Sequence, residues 1–322
     1  MDAPTAPGPE AALAAAVDLA AATVAAVEAA VRGKDEVVRG SVVALLAGGH
    51  LLVEDLPGTG KTLLAKSIAA AVGGRFGRVQ CTPDLLPSDL TGTSVYAPGD
   101  GSWSFRPGPV FANVVLVDEI NRASPRTQAA LLEPMEEHQV TVDGATHRLP
   151  VPFFCVATQN PHGQVGTFPL PESQLDRFAL VLAMGLPDRQ AEFEILTGHG
   201  GVDVYEHLRP VTTPDAVAAA IDAVRSVPAT PALVGYVLDL VAATRAHPEL
   251  SVGASPRATV GLLRAARAHA VVAGRRHVVP EDLQAVAVPS LAHRVSVGGS
   301  VDTVASRRIL AALVARVPVP RP

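Results

Sequence analysis

The sequence predicts an α/β fold, with a parallel five-stranded sheet followed by an all-helical region. Between about residues 42 and 184, short apolar runs alternate with helical stretches; the runs are 51–53, 78–81, 114–117, 153–157 and 179–184. Nearly continuous apolar strands separated by helices are typical of a parallel sheet that is covered on both faces. After residue 188 the strand pattern stops, and helical periodicity continues to about residue 314.

Three regions follow from this pattern. Residues 1–32 form a tail and an alanine-rich helix, residues 33–187 form the α/β core, and residues 188–322 form a second, all-helical domain, which the family resemblance described below implies is a lid. Two hairpins interrupt the core, one at Asp143-Gly144, a dipeptide that suits a two-residue turn, and a weaker one at Gly99-Asp100-Gly101. Trp103 lies in the weaker hairpin, where it either anchors the hairpin against the domain or contacts a partner.

Composition places the chain among ordinary globular proteins. Of its 322 residues, 48% are hydrophobic and 18% are charged, and the net charge of −5 gives no general attraction to nucleic acid or anionic lipid. Cys81 and Cys155 lie in apolar runs, which predicts buried thiols in a reducing compartment. The apolar stretch 11–31 contains Asp18 and Glu28, and no targeting signal precedes it. We therefore predict a cytoplasmic protein that binds no nucleic acid and inserts into no membrane.

The strongest local signal is a strand that runs into a glycine-containing loop and then a helix over 63–72. The loop reads Asp55-Leu56-Pro57-Gly58-Thr59-Gly60-Lys61-Thr62. In a P-loop, backbone amides at a helix N-terminus cradle phosphate and the lysine reaches the β- and γ-phosphates. Only three of the 26 basic residues are lysine, which favours a required point charge at this position. We predict that nucleotide is bound by Pro57, Gly58, Thr59, Gly60, Lys61, Thr62 and Leu63.

Asp55 departs from the full P-loop pattern, which has glycine there. Aspartate is one of the few residue types that tolerate a left-handed backbone. We therefore expect a left-handed Asp55 whose carboxylate points away from the triphosphate, so that replacement by glycine is tolerated.

Polar residues also end two further strands of the predicted sheet. Asp118 and Glu119 follow the apolar run 114–117, 57 residues after Lys61, as in a Walker B motif. We expect Asp118 to hold Mg²⁺ together with the Thr62 hydroxyl, and Glu119 to polarise the attacking water. Asn160 lies at the carboxyl end of the strand predicted from the run 153–157, where its side-chain amide would contact the γ-phosphate or the attacking water.

Two arginines are further candidates, although their positions in the sequence alone do not distinguish them from surface charges. Arg177 precedes the last predicted strand of the sheet. Arg257 follows Ser255 and Pro256, which suit the cap and the first turn of a helix.

Several consecutive motifs, in order, resemble the MoxR family of AAA+ ATPases between about residues 33 and 294. Besides the P-loop they are Thr82-Pro83-Asp84-Leu85-Leu86-Pro87-Ser88-Asp89-Leu90-Thr91-Gly92, Phe105-Arg106-Pro107-Gly108-Pro109, Asp118-Glu119-Ile120-Asn121-Arg122, Ala157-Thr158-Gln159-Asn160-Pro161, Leu175-Asp176-Arg177-Phe178 and Gly253-Ala254-Ser255-Pro256-Arg257-Ala258.

The resemblance implies an ATPase that forms rings, often hexamers, and uses ATP and Mg²⁺. It implies that Arg177 is an arginine finger presented to the ATP of a neighbouring subunit, and that Arg257 is the sensor 2 arginine of the lid. The hairpins at Asp100 and Asp143 would be the helix 2 insert and the pre-sensor 1 hairpin. Members resemble chaperones that remodel or mature client proteins, frequently with von Willebrand factor A domain partners, and this chain carries no such domain.

Two other functions stay open at this point. One is the ATPase motor subunit of a metal (magnesium) chelatase-like complex. The other, of a different class, is a nucleotide-gated binding module with little turnover. The sequence contains no Gly-x-Ser-x-Gly, His-Glu-x-x-His or Cys-x-x-Cys motif, so these hydrolase and metal chemistries have no basis in it.

Overall fold

A parallel sheet of five strands is the centre of the first part of the molecule. The computed structural model describes residues 8–55, 58–99, 101–160, 166–197 and 207–320. In chain order, the strands are β1 His50–Glu54, β2 Phe76–Gln80, β3 Gly92–Ala97, β4 Ser102–Pro107, β5 Val114–Asp118, β6 Gln139–Val142, β7 Ala145–Arg148, β8 Phe154–Gln159, β9 Phe178–Leu182, β10 Leu250–Val252 and β11 Ser296–Val297.

The sheet has the order β2-β5-β8-β1-β9, and its neighbours all pair in parallel. Each of its strands matches a predicted apolar run, with ends that differ by one or two residues. The three central strands are buried along nearly their whole length, as expected for a sheet covered on both faces. This confirms the predicted parallel five-stranded sheet.

Helices cover the sheet and continue beyond it to the C-terminal part of the chain. They are α1 Pro9–Ala30, α2 Asp35–Leu46, α3 Lys61–Ala71, α4 Pro87–Thr91, α5 Pro125–Ala129, α6 Leu132–Glu137, α7 Glu172–Leu175, α8 Arg189–Thr197, α9 Pro214–Arg225, α10 Pro231–Ala246, α11 Pro256–Val272, α12 Pro280–Leu291 and α13 Thr303–Arg316. We call residues 207–320 the lid.

The helix starts in the lid follow from local capping. The side chains of Thr213, Thr230 and Ser255 each accept a hydrogen bond from the first turn of the helix that follows, and a proline stands in the first turn each time. The prediction of an all-helical lid was wrong in one detail, because β10 and β11 pair there as a small antiparallel ribbon. Strands of three and two residues are too short to show a period of two in the sequence.

Both predicted hairpins are present, as β3–β4 and β6–β7. Asp143 and Gly144 have positive φ values of 50° and 77°, as a tight two-residue turn requires. Asp100 lies outside the described residues. The Trp103 side chain is 69% exposed and its ring contacts Tyr96 of the same hairpin, 5.2 Å away. This tryptophan therefore does not anchor the hairpin against the sheet.

The helix α1 packs onto both the sheet region and the lid. It contacts α2, α3, α9 and α11, and its buried side chains belong to one core that extends into the lid. This helix of 22 residues contains an 18-residue window with a mean hydropathy of 1.7, so it is long and apolar enough for a membrane span, as core helices of soluble proteins also can be. The alanines allow the close approach of the neighbouring helices.

Burial shifts the pKa values of two thiols and one histidine beside the central sheet. Cys81 and Cys155 are free, buried thiols, as predicted, and burial raises the pKa of each to about 12. His50 lies within 2.8 Å of the Met135 carbonyl oxygen through Nε2, and its Nδ1 accepts from the Cys155 amide at 3.2 Å. Burial lowers the pKa of His50 to about 4, and the nearby His138 lowers it further while the Met135 contact opposes the shift.

This histidine should make folding sensitive to mild acid. Its pKa is lower in the folded chain than the ordinary value of 6.5, so its contribution is complete above pH 6.5 and is lost as the pH falls towards 4. The loss amounts to about 3 kcal/mol of the free energy of unfolding. Urea denaturation between pH 7 and 4.5 should show a steeper decline for the wild type than for His50→Gln. Equal slopes for the two proteins would contradict a neutral, buried His50.

Candidate active site

The P-loop leads into the N-terminus of α3. Gly58 and Gly60 have positive φ values of 83° and 95°. A Cβ at Gly58 would meet nothing within 4 Å, and one at Gly60 would meet only the Met184 methyl at 3.6 Å, so backbone conformation and not space requires glycine here. The amides in the first turn of a helix have no acceptor within it, which makes this turn suited to bind phosphate.

One cavity of about 230 Å³ collects most of the predicted site residues. It is lined by Gly58, Gly60, Lys61, Thr62, Gln80, Asp118, Glu119 and Asn160. The predicted binding residues Thr59 and Leu63 do not line it, and the Leu63 side chain packs against the hydrophobic core instead. Leu63 can therefore reach a ligand only through its backbone amide, in the first turn of α3. Pro57 lies outside the described residues.

Lys61 is the cation of this cavity. Its side chain is buried, and Nζ donates to the Asp55 carbonyl oxygen at 3.0 Å. Burial lowers the pKa of Lys61, and the negative charges of Asp55, Asp118 and Glu119 oppose that shift. Three carboxylates already lie beside the Lys61 ammonium, so an anion that enters the cavity adds further negative charge. The cavity is therefore suited to an anion that enters together with a cation.

The Thr158 side chain holds Asp118 and Glu119 in place, although the sequence does not identify it as a site residue. Its hydroxyl donates to Asp118 Oδ1 at 2.7 Å and accepts from the Glu119 amide at 2.8 Å. It lies on β8, beside the end of β5, and is fully buried. A polar residue at the end of an apolar strand was the available signal, but only the strand register shows which residues it contacts.

Three further side chains hold the acidic pair from the outer side of the sheet. Arg78 donates to Asp118 Oδ2 at 3.0 Å. Glu119 has a left-handed backbone, with φ 54°, and its Oε2 accepts from Arg122 at 2.9 Å and from Gln80 at 3.2 Å. Both donors bind the same carboxylate oxygen and so fix the orientation of the group. A left-handed glutamate is uncommon and is maintained only where its surroundings fix it.

The donor set fits Mg²⁺. Thr62 and Asp118, which carry a hydroxyl and a carboxylate, line the same cavity, beside the loop that is suited to phosphate. Mg²⁺ prefers oxygen ligands and is usually held by one or two protein groups together with waters and substrate phosphates. Within the described ranges there is no group of three or more His, Cys, Asp or Glu side chains that would form a protein-only metal site.

Asp55 differs from the expectation. Among the described residues, those other than glycine with a positive φ are Glu119, His138 and Asp143, so the expected left-handed Asp55 is wrong. Its carboxylate accepts a hydrogen bond from the Gly185 amide, in the segment that follows β9. Lys34 donates to the carbonyl oxygens of Gly185 and Leu186 at 2.9 and 2.7 Å. The carboxylate is thus used to tie the P-loop to the connection towards the lid.

The two predicted arginines lie together, and neither lines the cavity. Arg177 pairs with Glu136 at 2.7 Å and donates to the Ser173 carbonyl oxygen. Arg257 pairs with the other oxygen of Glu136 at 3.1 Å and with Asp176 at 3.5 Å. Within this chain, the structure therefore separates these two arginines from Lys61, Asp118, Glu119 and Asn160, and places them as one cluster.

The hydrogen bond from the Gly185 amide to the Asp55 carboxylate can be tested by hydrogen exchange. Asp55→Gly should accelerate hydrogen exchange at Gly185, because a partly buried N–H loses its acceptor, whereas Asp55→Asn keeps an acceptor oxygen and should stay close to the wild type. Exchange by mass spectrometry with overlapping peptides would measure it. Asp188→Ala is the matched control, since that carboxylate accepts from Ala191 at 2.8 Å and not from Gly185. Unchanged exchange in Asp55→Gly would contradict the contact.

Comparison with known proteins agrees with this architecture. Residues 50–180 match the family "ATPase family associated with various cellular activities (AAA)", and residues 242–313 match the AAA lid domain. A crystal structure of a candidate ATPase from Cytophaga hutchinsonii superposes with a TM-score of 0.86 at 33% identity, covering 97% of this chain and 98% of that one.

Named relatives cover most of the sequence. The chain is 46% identical to the uncharacterized protein YeaC of Bacillus subtilis, over 81% of this chain and 82% of that protein. It is 41% identical to Chaperone MoxR1 of Mycobacterium tuberculosis, over 81% of this chain and 71% of the relative. Protein MoxR of Paracoccus denitrificans is 35% identical over 84% of this chain and 86% of its own length. The chain therefore belongs to the MoxR family of AAA+ ATPases.

Proposed function

We propose that this protein hydrolyses ATP, with Mg²⁺, at the interfaces between subunits of a homo-oligomeric ring, and that it uses the cycle to remodel client proteins. The observation that carries the proposal is the division of the site. Phosphate-, metal- and water-directed groups share one cavity, while Arg177 and Arg257 form a separate cluster. An ATPase site built in this way is completed by a second subunit.

Within the cavity, the phosphates would lie against the first turn of α3. Lys61 would contact the β- and γ-phosphates, in exchange for its present contact with the Asp55 carbonyl oxygen. Thr62 and Asp118 would hold the Mg²⁺, which supplies charge neutralisation at the phosphate oxygens when bound. The Arg78 contact at Asp118 Oδ2 would then have to give way, and the half-exposed Arg78 side chain would turn towards solvent.

Glu119 and Asn160 would position the attacking water. Thr158 holds the Glu119 amide and the Asp118 carboxylate in one arrangement, so the metal-binding and water-polarising groups keep a fixed separation. The Glu119 carboxylate faces the same cavity as Asn160, at the carboxyl edge of the sheet. General base catalysis of this kind contributes about 10²–10⁴ in rate.

The arginine cluster would act on the ATP of the next subunit. Glu136, which joins the two arginines, is itself 42% exposed, and the Arg257 side chain is 52% exposed. A carboxylate at the surface is readily exchanged for a phosphate oxygen, because both accept from a guanidinium in the same geometry. The cluster is therefore arranged to bind an anion that a neighbour brings to it.

The remodelling role rests on relatives and not on the site. One relative carries the name Chaperone MoxR1, and a von Willebrand factor A domain protein is the partner that the family resemblance suggests. We propose a cytoplasmic hexamer that acts on protein clients and binds no nucleic acid, in keeping with the net charge of −5.

Two substitutions should separate binding from hydrolysis. Lys61→Ala should abolish ATP binding, because it removes the buried phosphate contact, whereas Glu119→Gln should bind ATP and lose hydrolysis by about 10²–10⁴. Calorimetric titration and phosphate release would measure the two effects. Lys66→Ala, on the same helix but outside the cavity, is the matched control. Normal ATP binding by Lys61→Ala would overturn the P-loop assignment.

A second prediction concerns assembly. If Arg177 completes a neighbouring site, Arg177→Ala should bind ATP and hydrolyse it about 10³–10⁵ times more slowly. The specific rate of the wild type should rise with protein concentration and then reach a plateau. Mixing Arg177→Ala with Lys61→Ala should restore turnover, since an intact site then receives a finger from its binding-defective neighbour.

Rates measured across dilutions and mixing ratios, with assembly followed by light scattering, would decide the matter. A specific rate that is constant from monomer to ring, with no recovery on mixing, would exclude the shared site. That result would favour the nucleotide-gated binding module.

A further inference from the structure

The short segment that carries Arg177 is held from the lid. We call residues 172–178 the finger segment; it contains α7, the turn at Asp176 and the first residue of β9. Among the described residues, four lid side chains form hydrogen bonds or ion pairs with it: His293, Arg294, Ser296 and Arg257. The position of Arg177 therefore depends on a part of the chain that lies more than 75 residues further along the sequence.

Arg294 makes the central contacts. Its Nε lies 2.9 Å from Asp176 Oδ1, and its Nη2 donates to the carbonyl oxygens of Asp176 and Phe178 at 3.0 and 2.9 Å. These two carbonyl groups belong to the residues on either side of Arg177. One guanidinium thus fixes the backbone before and after the finger, and its side chain is only 6% exposed.

The other lid contacts restrain the same segment. His293 Nε2 lies 2.9 Å from the Phe178 carbonyl oxygen, and the Ser296 hydroxyl donates to Glu172 Oε1 at 2.7 Å. Arg257 reaches the second oxygen of Asp176, at 3.5 Å. The Asp176 carboxylate is therefore shared between a buried arginine that anchors the segment and an exposed arginine of the same cluster as Arg177.

The geometry points to Arg294 as a positioning residue that sets the place of Arg177, so that a movement of one subunit's lid changes hydrolysis in the adjacent subunit. This inference rests on the proposed function, in which Arg177 serves a neighbouring site. Arg294 touches neither the nucleotide cavity nor a reacting atom, and it acts through Asp176 and the backbone of the finger segment.

The alternative is an ion pair that only stabilises the fold. Buried ion pairs are weak stabilisers, because desolvation offsets the attraction, and apolar replacements often serve as well. Burial lowers the pKa of Arg294 to about 10, with Asp176 opposing the shift and Arg257 adding to it, so the group is charged at neutral pH. A charged group with acceptors on both flanks of one residue is suited to orient that residue.

The first test compares kcat with ATP affinity for Arg294→Met and Arg294→Lys. Small displacements of a catalytic group cost about 10²-fold in rate, so Arg294→Met should lower kcat by roughly that factor. Its ATP dissociation constant should not change, because its own cavity is intact. Arg294→Lys keeps the charge but cannot span both carbonyl groups and the carboxylate, so its kcat should lie between those of Arg294→Met and the wild type.

The second test mixes variants. A variant whose lid is only weakened in general would not show the pattern of restored turnover expected here. Arg294→Met has an intact ATP site and a misplaced finger, so Lys61→Ala, which supplies a normal finger, should restore its turnover. Arg177→Ala, whose own finger is absent, should not restore it. Arg275→Met is the matched control, since Arg275 pairs with the buried Asp282 entirely within the lid. It should lower the melting temperature and keep kcat close to the wild-type value.

The outcomes separate the two proposals. Rescue of Arg177→Ala by Lys61→Ala would support the shared site. The positioning role of Arg294 is then overturned if both Arg294 variants retain the wild-type kcat. It is also overturned if neither partner variant restores the turnover of Arg294→Met. If Arg177→Ala itself is not rescued, the shared site fails first. Should Arg294→Met not fold, Arg294→Lys in the same mixtures decides the question.

Discussion

The alignment of strand ends at the carboxyl edge of the parallel sheet is the constraint on which the site depends. Val53 pairs with Thr158, and Gln80 pairs with Asp118, so the ends of four strands meet in one place. A shift of one residue in any strand would turn its polar end to the other face of the sheet. The apolar, buried centres of β1, β5 and β8 fix the register, and the core thereby positions the chemistry.

The last strand of the same sheet is held at both of its ends, at one of them by the lid. On the side of the P-loop, Asp55 and Lys34 hold the Gly185 backbone in the connection after β9. At the start of β9, Arg294 holds the backbone on both sides of Arg177. In the ring that we propose, contacts of the P-loop with this connection and of the lid with the segment around Arg177 would link successive sites. Close packing makes such links sensitive to small displacements.

The sequence was sufficient for the strands of the central sheet and for the residues that line the cavity other than Gln80, because these are local signals. Strand runs, the glycine loop before Lys61 and the acidic end of β5 each lie within a few consecutive residues. The contacts that the sequence did not predict are long-range ones. Thr158 acts across a strand register, Asp55 meets Gly185 at a distance of 130 residues, and Arg294 meets Asp176 at 118 residues. Nothing local distinguishes Arg294 from the other arginines, and β10 and β11 are too short to show periodicity.

We propose that the ATP site of one subunit is completed by the arginine cluster of the next. The most direct measurement is a structure of the assembled full-length protein with Mg²⁺ and a non-hydrolysable ATP analogue. We expect the guanidinium of Arg177 to leave Glu136 and to lie within hydrogen-bonding distance, about 3 Å, of the γ-phosphate bound to the adjacent subunit. An assembled, nucleotide-filled complex in which Arg177 still pairs with Glu136, far from any phosphate, would contradict it.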